Sequence, residues 1–125
     1  MSVDIFNFGS AELFVLLFLQ RGDAHGYELM SKIEESSQGL LSVKSASLYP
    51  ILYRLEDRGY ISSERVFVES TAKNRRGNSA RVRVMYHLEP AGRERIEELV
   101  TEYRNYFKGG NLILDEYYGG DSDEQ

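Results

Sequence analysis

Cysteine is absent from all 125 residues, which excludes disulfides, thiolate nucleophiles and thiolate metal ligands. Tryptophan is absent too, and there are two prolines and two histidines. The histidines, His25 and His87, lie on different predicted elements, so no metal site is expected. The chain contains no GxSxG elbow, phosphate-binding GxxxxGK[ST] loop or GxGxxG turn, and no candidate nucleophile beside a base. Glu34-Glu35 and Glu97-Glu98 read as solvated pairs on helix surfaces. Neither catalysis nor a cofactor is expected. The longest apolar run, Leu13 to Leu19, is far short of the roughly 20 residues that span a bilayer. The start, Met-Ser-Val-Asp, has no basic region, so a signal peptide is not expected. These absences suit a cytoplasmic protein without a membrane partner.

What is present is ordinary in bulk and uneven in detail. Hydrophobic residues make up 42% and charged residues 28%, the balance of a single globular domain. The net charge of −5 speaks against nucleic acid until it is mapped. From Ser42 to His87 nine Lys or Arg face four acids, whereas the rest of the chain has six basic and sixteen acidic residues. A local positive field decides whether a duplex is approached, more than the total does.

The stretch from Ser42 to Ile61 organises the chain. Leu48, Ile51, Leu52 and Leu55 recur at i, i+3, i+4 and i+7, one buried helical stripe. Ala46, Pro50, Tyr53 and Asp57 fall opposite, with Ser47, Tyr49 and Arg54 on the flanks and Lys44 and Ser45 just ahead. Small polar residues with a base beside them can approach a phosphate backbone closely and still donate hydrogen bonds. A merely solvated helix surface would look the same. Pro50 favours a helix start near Ser45 to Ser47, because proline deeper in a helix costs about 3 kcal/mol. Arg58-Gly59 is a stop signal.

Upstream, Ala11 to Gln20 reads as a helix apolar nearly all round, with Ser10 as N-cap and Glu12 in the first turn. The arm before it, with Ile5, Phe6 and Phe8, is left open between packing on a partner and staying loose. Asp23 is a plausible cap for a second helix over His25 to Ser36, with Tyr27, Met30 and Ile33 inward. Downstream, Tyr60 to Glu69 and Arg81 to Leu88 form a hairpin pattern, the second strand alternating Val82, Val84, Tyr86 and Leu88 on one face. Its connector, Thr71 to Ala80, carries Lys73, Arg75 and Arg76, which suits phosphates or a minor groove and equally a solvated loop. Pro90 opens a last helix, expected to end at Lys108 before Gly109-Gly110-Asn111 and to run about 28 Å. Its stripe, Ile96, Leu99, Val100, Tyr103 and Phe107, packs either on its own domain or on a partner.

Four segments in order carry a resemblance: His25-Gly-Tyr-Glu-Leu29, Leu48-Tyr-Pro-Ile-Leu-Tyr-Arg-Leu-Glu56, Gly59-Tyr-Ile61 and Tyr86-His-Leu-Glu-Pro-Ala-Gly-Arg93. Together they resemble the PadR family of bacterial transcription regulators, over roughly residues 10 to 108. The resemblance implies a mostly α fold with a β-hairpin wing: a winged helix-turn-helix domain over 1–88, a recognition helix at about 45–58 and a wing at about 61–88. It further implies a dimerisation helix over 89–110, followed by an apolar then acidic tail over 111–125. Glu89 stands where that family usually has Thr or Ser, a poorer cap.

The function implied is a homodimeric repressor of a palindromic double-stranded DNA operator. Ser45, Ser47, Tyr49 and Tyr53 would meet base edges or sugars, and Lys44, Arg54, Lys73, Arg75 and Arg76 would grip phosphates. Tyr49 has the alternative of packing against the wing. Leu13, Leu17, Ile96, Leu99, Val100, Tyr103 and Phe107 would form the dimer interface. Some members release DNA when an aromatic or cationic drug-like compound, or a phenolic acid, enters that interface, and in multidrug-sensing relatives a tryptophan of the last helix stacks on the ligand. This chain has none, which leaves Phe14, Phe18, Tyr103, Tyr106 and Phe107 as a substitute pocket or as plain interface core. The rival function is a winged-helix protein-interaction module without specific DNA binding.

Overall fold

The computed structural model describes residues 2–5, 10–69 and 80–119, side chains of 68, 69, 80 and 81 aside. In chain order these form β1 (Val3–Asp4), α1 (Ala11–Leu19), β2 (Ala24–His25), α2 (Gly26–Ser36) and β3 (Leu41–Ser42). Then come α3 (Ser45–Asp57), β4 (Ile61–Glu69), β5 (Ala80–Leu88) and α4 (Pro90–Tyr117). Sequence expectations that fall on residues 6–9, 70–79 and 120–125 lie outside the described residues. These include Phe6, Phe8, the acidic end, and the basic residues Lys73, Arg75 and Arg76.

The core forms around the stripe read from the sequence. Leu48, Ile51, Leu52 and Leu55 of α3 are all buried, against Val15, Leu16 and Leu19 of α1, Leu29 and Ile33 of α2, and Ile61 and Leu88 at the base of the hairpin. Burying one such side chain contributes roughly 1.5–3 kcal/mol. That cluster fixes the angle at which α3 leaves its polar side outward. Lys44 caps α3 with extended backbone, its carbonyl accepting from the Ser47 and Leu48 amides. Pro50 sits inside the helix with its ring exposed, so it offers no N–H to the Ala46 carbonyl. The helix ends as Gly59 adopts φ +77° and the Tyr60 amide bonds back to the Leu55 carbonyl, a Schellman closure.

The sheet order is β2-β5-β4, all antiparallel, with Ala24 opposite Tyr86 and Ile61 opposite Leu88. The alternation along β5 holds at its base, where Tyr86 and Leu88 are buried. It fades outward, leaving Val82 and Val84 exposed, because the hairpin leaves the helices behind. Burial holds the Tyr86 phenol above the usual tyrosine range, with Tyr49, Glu56 and Tyr53 nearby adding to the effect.

Four expectations need correction. Asp23 is not the cap of α2. His25 is, in a reciprocal box: its backbone N–H donates to Glu28 Oε1 (3.0 Å) and its Nδ1 faces the Glu28 amide (3.3 Å). The inner face of α2 is Leu29 and Ile33, with Met30 half-buried, while Tyr27 is 67% exposed, on the side of the helix start that faces Val82, Arg83 and Val84. Ser10 precedes α1 without a side-chain cap bond, its backbone already helical. The last helix does not stop at Lys108 but continues to Tyr117, spanning about 42 Å. Two glycines cost about 1 kcal/mol each against alanine, too little to break a helix already propagated for five turns.

Glu89 makes no side-chain cap bond, as its type suggests, and its carboxylate instead accepts from the Ser62 hydroxyl at 2.6 Å. The described part of the N-terminal arm does neither of the things left open, packing instead on its own chain: β1 runs parallel to β3, and Ile5 is buried.

Candidate nucleic-acid interface

The exposed side of α3 presents Lys44, Ser45, Ala46, Pro50, Tyr53 and Arg54, with Ser47 half-buried. From Ser42 to Leu55 there is no acidic residue. Lys44 and Arg54 make no ion pair among the described residues, whereas Arg58 and Arg95, on the far end of the domain, both reach Glu12. The helix thus keeps its free positive charge where its backbone is most accessible.

Tyr49 is 38% exposed and leans on α2 rather than lying free. A β-carbon at Gly26 would collide with the Tyr49 ring and hydroxyl. The ring therefore forms one wall of a cleft of about 380 Å³, whose other walls are His25, Gly26 and Tyr27 of α2's start and Val82, Arg83 and Val84 of the wing. Arg83 Nη1 lies 2.8 Å from His25 Nε2, and it too makes no ion pair among the described residues. A neutral imidazole accepts at one nitrogen only, so Arg83 and the Glu28 amide compete for the same ring. The Tyr27 ring stacks on His25 at 6.5 Å. A guanidinium and a tyrosine hydroxyl beside the positive end of α2 suit an anionic oxygen. The sequence reading missed His25, Tyr27 and Arg83 because no spacing joins them; only the β2–β5 pairing brings them together.

On the opposite side, Phe14, Tyr103 and Phe107 meet, with ring centroids 5.7 Å and 4.7 Å apart. Phe18 stacks on none of these rings, but it lines a cavity together with Phe14, Ile33 and Leu41. Among the expected interface residues, Leu13 and Ile96 are buried in the chain's own core and have little surface to offer. Leu17, Leu99, Val100 and Tyr103 are half-buried, and Phe107 is exposed. No group of His, Asp or Glu among the described residues could hold a metal, and none of their helices is long and apolar enough to cross a membrane.

The model of the PadR-like family of transcriptional regulators matches residues 15–98. The chain belongs to that family. The match takes in α2, α3, the wing and the first part of α4, so the resemblance carried by the four sequence segments holds, and the family it names is one of transcriptional regulators. This PadR-like chain is 37% identical over 57 residues to the transcriptional regulator YqjI of Escherichia coli, covering 46% of the chain but only 28% of that relative. The chain therefore spans little more than a quarter of the length of this curated relative.

Two solved structures share the winged-helix architecture. A transcriptional regulator from Clostridium thermocellum aligns with a TM-score of 0.66 at 24% identity, over 90% of this chain and 93% of its own. A PadR-like transcription factor from Bacteroides fragilis aligns with a TM-score of 0.60 at 28% identity, over 86% of this chain and 92% of its own. The mostly helical fold with a hairpin wing is thus common to the PadR-like chain and both neighbours.

Proposed function

We propose that this PadR-like regulator is a cytoplasmic homodimer that binds a palindromic operator, represses transcription from it and is released by a small aromatic effector. The observation that carries the DNA reading is the acid-free, exposed start of α3, with Lys44 and Arg54 free of ion pairs among the described residues. A helix of this kind enters a major groove, and two of them about 34 Å apart read two half-sites. In this reading Ser45, Ser47, Tyr49 and Tyr53 meet base edges or sugars. Lys44 and Arg54, joined by Lys73, Arg75 and Arg76 of the wing connector, hold phosphates. Arg83 and Tyr27 in the cleft above α2 add contacts to the same backbone.

Residues 1–88 then serve as the DNA-binding domain and α4 as the dimerisation element. Only Gly92 and Ile96 of the 28 residues of α4 are buried, while Leu112, Ile113 and Leu114 stand well exposed. A helix with that much uncovered apolar surface suits burial against a second subunit. The meeting of Phe14, Tyr103 and Phe107 supports an aromatic effector.

Fluorescence anisotropy against DNA upstream of the protein's own gene, at two salt concentrations with competitor, tests the reading. Saturable, competitor-resistant binding that weakens with salt is the expected result. Weak binding equal for every sequence would overturn it in favour of a protein-interaction module.

A further inference from the structure

We infer that His25 holds Arg83 in reserve and yields it to a DNA phosphate by changing which of its ring nitrogens carries the proton. The inference rests on the DNA reading above and deepens it. It adds His25 as the residue that positions Arg83 and as a second donor to the same phosphate.

The conflict lies at one ring. His25 Nδ1 stands 3.3 Å from the Glu28 amide and Nε2 stands 2.8 Å from Arg83 Nη1, so a donor faces each nitrogen. A neutral imidazole has one nitrogen that accepts. The guanidinium is the closer donor and it is charged, and a charge-assisted hydrogen bond is roughly twice as strong as a neutral one. Arg83 therefore takes the lone pair of Nε2 and the ring proton sits on Nδ1. The Glu28 amide then faces an N–H instead of an acceptor. The other half of the capping box, the His25 amide donating to Glu28 Oε1 at 3.0 Å, holds the residue in place whichever nitrogen is protonated.

Arg83 is the partner able to leave. Its Nη1 also lies 3.4 Å from Nδ1, so it meets the ring aslant rather than along the Nε2 lone pair, which weakens the bond. It makes no ion pair among the described residues, and the carboxylate paired with the ring, Glu28, stands 3.6 Å from Nε2. Both side chains stand on one face of the sheet, because His25 pairs with Met85 and residues two apart on a strand share a face. That face borders the cleft of about 380 Å³ beside Tyr49 of α3. When a phosphate enters, the guanidinium turns to it. One proton leaves Nδ1 for solvent and one reaches Nε2, so the charge of the ring does not change. Nδ1 then accepts from the Glu28 amide, completing the capping box, and Nε2–H points where Arg83 stood. Binding thus tightens the first turn of α2, on which the Tyr49 ring rests.

Long-range nitrogen–proton NMR reads the place of the proton directly, because the bare and the protonated ring nitrogens resonate far apart. The chain has two histidines, so His87→Gln leaves His25 alone in the untagged protein. In buffer of about pH 8, where imidazole is neutral, the free protein should carry the proton on Nδ1. A saturating non-specific duplex at low salt should move it to Nε2. Arg83→Ala should carry it on Nε2 without any DNA, lose no stability, and bind the duplex with a salt slope smaller by about 1. His25→Asn keeps an oxygen for the Glu28 amide and removes the second donor, so duplex affinity should fall about threefold to tenfold. A proton on Nε2 in the free original protein would overturn the hold on Arg83. One that stays on Nδ1 in the complex would overturn the exchange, and unchanged affinity in His25→Asn would remove the second donor. Failure to bind any duplex would sink the DNA reading and the phosphate with it, while the Arg83→Ala spectrum, taken without DNA, still decides whether Arg83 occupies the ring.

Discussion

Tyr49 of α3 lies where a side chain on Gly26 would have to stand. This contact ties the exposed side of α3 to the first turn of α2, and it gives both residues a reason to be what they are. Tyr49 is oriented by packing even though 38% of it remains exposed. Gly26→Ala should therefore displace the ring, lowering stability by about 1–3 kcal/mol as an overpacked contact does and weakening operator binding as well. Urea unfolding checks the first effect and anisotropy the second. Adding Tyr49→Leu to Gly26→Ala should restore most of the stability and none of the DNA affinity, a coupling that independent sites do not show.

Core and face of α3 should separate cleanly. Leu52 is fully buried, so Leu52→Ala should destabilise by about 2–5 kcal/mol. Tyr53 is 69% exposed, so Tyr53→Ala should change stability by no more than about 0.5 kcal/mol while lowering operator affinity. Equal DNA affinity for Tyr53→Ala and the original protein would remove Tyr53 from the interface.

Arg54→Ala should weaken binding to all sequences alike and reduce the slope of log affinity against log salt by about 1, the signature of a lost phosphate contact. A loss confined to the operator, with the salt slope unchanged, would assign Arg54 to a base instead.

How much of this was legible in the residues follows from where each signal lives. The α3 stripe and the hairpin repeat with fixed periods in a continuous stretch, so local geometry alone sets them. The cap of α2 was misread because Asp23 is the commoner capping type, whereas the pairing of His25 with Met85 swings the histidine into place. The end of α4 was misread because Gly109-Gly110 looks like a stop, yet neither glycine meets any steric demand and the helix runs through. The cleft of His25, Tyr27, Tyr49 and Arg83 was invisible since its parts come from four separate elements. Docking of the arm depends on a two-residue parallel pairing that no periodicity announces.

His87 and Asp23 pair across the wing base, Nδ1 to Oδ1 at 2.8 Å, with both side chains more than half exposed. The hydrogen bond to Asp23, and then its charge, hold the imidazole above its ordinary value. The protonated form is the one favoured by folding. Any contribution of the pair is therefore complete below about pH 6.5 and disappears as pH rises through the higher folded value. An NMR titration should find the His87 midpoint above that of an unfolded histidine, and Asp23→Asn should bring it down. A midpoint unmoved by Asp23→Asn would mean that the pair does not form in solution.

Glu12 joins three helices. Its carboxylate stands 3.6 Å from Arg58 at the C-cap of α3 and 4.0 Å from Arg95 of α4, which also holds Glu98 at 2.6 Å. Glu12 is only 16% exposed and one of its oxygens is buried without a hydrogen bond, as is Arg95 Nε. The two arginines should therefore differ. Arg58 is half in water, so Arg58→Ala should cost no more than about 1 kcal/mol. Arg95→Ala strips the more buried partner from a carboxylate that water reaches poorly and should cost about 1–3 kcal/mol. Replacing Glu12 as well, in Glu12→Leu with Arg95→Ala, should recover part of that loss, because no charge then remains unpaired between α1 and α4. Urea unfolding of the four proteins orders them, and an Arg58→Ala loss as large as that of Arg95→Ala would show that α3, rather than α4, is what Glu12 holds.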